Sequence, residues 1–187
     1  EFMTFIMPSL LFGLFLVAAA VFTMRILPSH QDLWRSLPRE RKFGILLALI
    51  AMAWSAFEVN LMLEGSLAKL RPLLVPIVIV TTLLSYFLLD YLFTRALGGL
   101  LLLISSLLLH QAFGVFAPSR WMYALVCYVV AVAGMFMIGS PYRFRDWLEK
   151  VTVNRQWRLA SATALAVGGV ILMVVAVVHF VQAGGNG

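Results

Sequence analysis

Two ionisable side chains stand inside long apolar runs, and any chemistry this chain performs should start from them. Glu58 lies in the run Phe43–Leu63, and His110 in the run Leu97–Ala117. A charged group at mid-bilayer costs about 2.5–3.5 kcal/mol on insertion scales, so each needs a reason to be there. Counted as helices, the runs put Glu58 about 22 Å and His110 about 20 Å from their cytoplasmic ends, which would set both in one layer. Ala51, Ser55 and Met62 recur with Glu58 at helical spacing, a face suited to a bundle interior. A carboxylate there would take a proton or a cation. The alternative is a carboxylate near the outer surface, paired with Lys69 or Arg71. His110 has Ser106 one turn before it and Gln111 beside it. Imidazole can relay protons or orient a polar solute. It can equally be a packing histidine bonded to Ser106 or to a neighbouring carbonyl.

A second polar group follows the run Leu73–Phe93, where Thr81, Thr82, Ser85 and Tyr86 lead to Asp90, with Arg95 just beyond. The sharper reading is a hydrophilic path descending to a charged gate. The plainer reading has the hydroxyls bonding back to their own helix and Asp90 pairing with Arg95 to close a hairpin. So many polar groups on one run predict that it is largely buried among the other spans.

The remaining chemistry is sparse. Cys127 is the only cysteine, which rules out an intramolecular disulfide and a CxxC site. Nucleotide loops, HExxH, GxSxG and acidic clusters able to hold Mg²⁺ are all missing from the sequence. His110 and His179 fall about 10 Å apart in depth, too far for a shared haem. No catalytic residue, metal or cofactor is assigned.

These groups must be positioned by membrane-spanning helices. The 187 residues are 63% apolar and 12% charged, with a mean hydropathy of +0.98. Soluble domains are about half apolar and a quarter charged. A core of this size cannot hide the excess, so the apolar surface must face lipid. Six runs emerge: Phe5–Leu27, Phe43–Leu63, Leu73–Phe93, Leu97–Ala117, Trp121–Gly139 and Leu159–Val181. Each approaches the length that crosses a hydrocarbon layer of about 30 Å. Thr94-Arg95-Ala96 is the only connection between the third and fourth, which forces an antiparallel hairpin. The first run, with Pro8 in its opening turn, has no basic segment before it and reads as a retained span. Glu1-Phe2 ahead of Met3 read as residues left by cloning, and residues 183–187 as a flexible tail. The fold expected is a single all-α, six-helix transmembrane domain of three antiparallel hairpins.

The charge of +6 follows the loops. Of the 14 Lys and Arg, all but Lys69, Arg71 and Arg120 fall in or beside the connections after spans one, three and five. The positive-inside rule holds those connections in the cytoplasm and places both termini outside. No basic module stands apart from the spans, so nucleic acid is not an expected partner. Two long cytoplasmic connections, Pro28–Trp34 and Pro141–Trp147, each put a Trp six residues after a Pro. They predict two short amphipathic segments in the headgroup layer. Trp34, Arg35, Arg39, Arg41 and Lys42 on one, and Arg143, Arg145, Trp147 and Lys150 on the other, would meet anionic lipid. Small residues form two packing stripes: Ala124, Cys127, Ala131 and Gly134 on the fifth span, and Ala160, Ala164 and Gly168 on the sixth.

The chain thus reads as a small polytopic protein of a membrane, the bacterial cytoplasmic (inner) membrane. The leading function is a channel or transporter for a small solute or ion, lined by the third span's seam. The alternative is a non-transport scaffold, assembly or lipid-binding subunit, with a second copy or another membrane protein as partner. A lipid-processing enzyme using Glu58 and His110 stands third.

Overall fold

The computed structural model describes residues 2–26, 41–62, 69, 71–88, 91–113 and 120–184, with side chains over 5–26, 43–60, 69, 71–84, 91–113 and 121–181. Its elements there are seven helices: α1 (Phe2–Arg25), α2 (Arg41–Met62), α3 (Arg71–Leu88), α4 (Leu92–Phe113), α5 (Arg120–Gly139), α6 (Pro141–Val153) and α7 (Arg155–Gly184). Five of them, α1, α2, α4, α5 and α7, are long and apolar enough to cross a bilayer, and the chain is a membrane protein by that criterion. At about 1.5 Å per residue, the 18-residue α3 is about 27 Å long.

Several boundaries differ from those expected, each for a local reason. Helix α1 begins at Phe2, so Pro8 sits in its second turn and removes the N–H bond to the carbonyl of Thr4. The third and fourth runs do not meet at Thr94-Arg95-Ala96. Tyr91 adopts a left-handed backbone (φ 59°), which turns the chain three residues earlier. Its carbonyl accepts from Arg95 N–H at 3.2 Å, so Thr94, Arg95 and Ala96 form the first turn of α4. Ser140 follows α5, and its carbonyl accepts from Arg143 N–H at 3.0 Å as α6 opens on Pro141, where a missing N–H is harmless. Asn154 ends α6 and caps α7, its side-chain oxygen accepting from Gln156 N–H at 2.9 Å.

The chain divides into two compact units, residues 1–35, 104–132 and 146–187 in the first and 36–103 and 133–145 in the second. In the first, α1 and α7 pack antiparallel along their length: Phe5 stacks edge-on to His179, Gly13 meets Gly169, and Ala20 lies near Ala162. This pairing of the first and last spans is not among the hairpins read from the sequence. Leu172 and Ala176 are fully enclosed beside it. In the second unit α2 packs on α3, and the buried Ala48 of α2 clusters with Leu92 and Ala96 of α4.

Candidate functional site

Glu58 continues the face of α2 that packs on the start of α4. Gly44, Ala48 and Ala51 are buried on that face, and a Cβ on Gly44 would stand 2.8 Å from the backbone nitrogen of Phe93. Ser55 and Glu58 continue it one and two turns on, both half-buried. The Glu58 carboxyl oxygen accepts from the Trp54 indole N–H at 3.2 Å, a bond between neighbours one turn apart. The opposite face of α2 forms a groove of about 430 Å³ with α3, from Ala53, Ala56, Phe57 and Asn60 to Arg71, Leu74 and Val78. Asn60 and Arg71 give it a polar end.

The polar seam of α3 is only partly enclosed. Thr82 is buried and donates to the carbonyl of Val78 at 2.7 Å; Thr81 donates to that of Ile77 at 2.6 Å. Around them Leu73, Val75, Ile77, Ile79, Val80, Leu83 and Leu84 are exposed. The expectation that this span is largely buried is therefore corrected. Hydroxyls that bond to their own helix need no partner across the bundle, so the helix can face lipid at little cost. The side chains of Ser85 and Tyr86 lie outside the described residues, as does Asp90.

On α4 the buried stripe carries hydroxyls other than those singled out. Ser105, not Ser106, is enclosed, and Thr94 is fully buried; Ser106 and His110 are exposed. Thr94 Oγ1, Arg95 Nε, Ser105 Oγ and Gln111 Oε1 are enclosed without a hydrogen-bond partner among the described residues. His110 belongs to the first unit and Glu58 to the second, and the packing of each unit places its own residue.

Helix α6 is amphipathic, with Leu148, Val151 and Thr152 buried and Arg143 and Lys150 exposed. The Trp147 indole donates to Ser161 Oγ at 3.2 Å, and Arg145 Nη1 donates to the Tyr91 hydroxyl at 3.5 Å. Arg143 lies 5.5 Å from the Phe136 ring centre, and Lys150 5.6 Å from that of Trp157, both within cation–π range. Of the other interfacial segment, Trp34, Arg35 and Arg39 lie outside the described residues. Arg41 and Lys42 are described only as the first residues of α2.

The small-residue stripes separate into a packed one and an open one. On α5, Cys127 and Gly134 are buried and Ala124 and Ala131 half-buried; Gly134 meets Gly98 of α4, backbone to backbone. On α7, Ala160 and Ala164 are exposed and Gly168 is half-buried. The packed seam runs instead through Ala162, Gly169 and Ala176, since α7 turns those positions toward α1. A polar contact between distant helices also emerges. Ser9 is fully enclosed, donates to the carbonyl of Phe5 at 2.7 Å, and lies 2.8 Å from the Tyr123 hydroxyl. Its two partners stand 114 residues apart, and each run holds a second hydroxyl, Thr23 and Tyr128, so the sequence does not single them out. No group of three or more His, Cys, Asp or Glu able to hold a metal occurs among the described residues. The chain matches no protein-family model, no curated protein and no solved structure.

Proposed function

We propose that this chain is a six-span protein of the bacterial cytoplasmic membrane, with both termini outside and α6 in the cytoplasmic headgroup layer. Its work is that of a scaffold or assembly subunit for a membrane-embedded partner. One observation carries this reading: the hydroxyls of Thr81 and Thr82 on α3 are spent on their own helix, while the helices close on each other glycine to glycine. That pattern builds a rigid support more readily than a wet path. Membrane helices associate through close packing of small residues, and the broad exposed face of α5 (Trp121, Leu125, Tyr128 and Val132) offers a surface for another span.

Transport of a proton or small cation is the second reading, favoured by the half-buried Glu58 on the small-residue face of α2. A flux assay separates the two. Purified protein in liposomes loaded with a pH dye and with K⁺ or Na⁺ indicators is expected to leave the gradients intact, and Glu58→Gln is expected to leave the host phenotype unchanged. A flux abolished by Glu58→Gln would replace the scaffold with a transporter.

A further inference from the structure

We propose that the cytoplasmic end of the α1–α7 pair binds one anionic diacyl phospholipid, an acyl chain lying between the helices and the phosphate resting on Arg25 and Arg155. A groove of about 310 Å³ opens there, walled by Ala20, Val21 and Met24 of α1 and by Leu159, Ala162 and Ala166 of α7. The three alanines leave the furrow that larger side chains would fill. Thr163 also lines it, but its hydroxyl donates to the carbonyls of Leu159 and Ala160 at 2.9 and 3.0 Å, so it adds a methyl rather than a free polar group to the wall.

Charge gathers at one end only. Arg25 lines the groove in the last turn of α1 and is exposed. Arg155 lies one turn before Leu159 on α7, which puts it on the same helix face as the groove lining, and it too is exposed. Asn154 takes up the Gln156 N–H at the start of α7, and the anion is assigned to the two guanidiniums. Arginine suits a phosphate because its planar fork gives paired N–H donors.

An apolar furrow on two spans, ending in two arginines at the basic side, matches an amphiphile with a negative head above a hydrocarbon tail. A zwitterionic head would bring its own ammonium against the arginines, and a free phosphate would leave the furrow empty. The site is independent of whether the chain is a scaffold or a transporter.

Native mass spectrometry of the full chain tests this, with phosphatidylglycerol and phosphatidylcholine of identical acyl chains added in a mild detergent. Phosphatidylglycerol adducts are expected at about thirtyfold lower lipid concentration, as two arginines near a headgroup would give. The double variant Arg25→Gln/Arg155→Gln should erase that preference. Val21→Trp should weaken the binding of both lipids by filling the furrow from an exposed position. Lys69→Gln, which removes a charge elsewhere, should change nothing. Circular dichroism confirms that each variant keeps its helices. Equal binding of the two lipids overturns the proposal, as does a preference that survives the double variant or falls equally with Lys69→Gln. So does displacement of the lipid by glycerol phosphate, or lipid adducts excluded by a second chain bound at this face.

Discussion

A side chain on Gly98 would press against the Gly134 carbonyl oxygen. Its Cβ would stand 2.7 Å from that oxygen, and a Cβ on Gly134 would stand 2.7 Å from the carbonyl of Gly98. The two backbones are in mutual contact, and α4 and α5 cross there at the closest approach glycine permits. Gly98→Ala or Gly134→Ala must push the helices apart, at an expected cost of about 1–3 kcal/mol. Gly99 has nothing within 4 Å of its Cβ position, so Gly99→Ala should be neutral or stabilise by up to about 1 kcal/mol through helix propensity. Unfolding of the three variants in one detergent checks the contrast.

The neighbours Gly168 and Gly169 make a sharper pair. A Cβ on Gly169 would meet the Gly13 carbonyl at 2.6 Å and Val17 Cγ2 at 2.9 Å, whereas one on Gly168 finds Val126 at an ordinary 3.5 Å. Gly169→Ala is expected to lower the melting temperature in micelles and Gly168→Ala to leave it unchanged or raise it. The reverse order would mean that α7 presents another face to α1.

Ser9 and Tyr123 tie α1 to α5 through one polar contact and one ring. Tyr123→Phe removes the hydroxyl but leaves Ser9 bonded to the carbonyl of Phe5, so it should cost only about 0.5–1.5 kcal/mol. Tyr123→Ala also removes the ring that packs 5.4 Å from Phe5 at a site 1% exposed, and should cost about 3–5 kcal/mol. Denaturant titration of the two variants separates hydrogen bond from packing.

What the sequence reveals here, and what it hides, follows from the range of each effect. Hydropathy and length place α1, α2, α4, α5 and α7 because lipid solvation acts on whole runs. The α3–α4 corner escapes because one tyrosine takes a left-handed backbone, a conformation no run of apolar residues announces. On α7, Ala160, Ala164 and Gly168 are as regular as Ala162, Gly169 and Ala176, so spacing alone does not choose the packed face. Only the position of α1 decides it. The carboxylate of Glu58 is legible as an anomaly in its run. Its tie to Trp54 is a four-residue spacing that helical geometry supplies. The Ser9–Tyr123 contact depends on how distant spans meet, and neither span contains that information.

In the proposed topology these helices cross a bilayer with the basic connections inside, and α3, at about 27 Å, is itself a crossing. Lys69 precedes α3, and Lys150 lies on α6, with α3, α4 and α5 between them. Cys127 is 2% exposed and should stay silent to a membrane-impermeant maleimide. Labelling Lys69→Cys and Lys150→Cys variants in intact and in permeabilised cells is therefore the most direct test. Lys69→Cys is predicted to react in intact cells and Lys150→Cys only after permeabilisation. Reaction of both positions from the same side would contradict the account, since it would leave α3, α4 and α5 an even number of crossings.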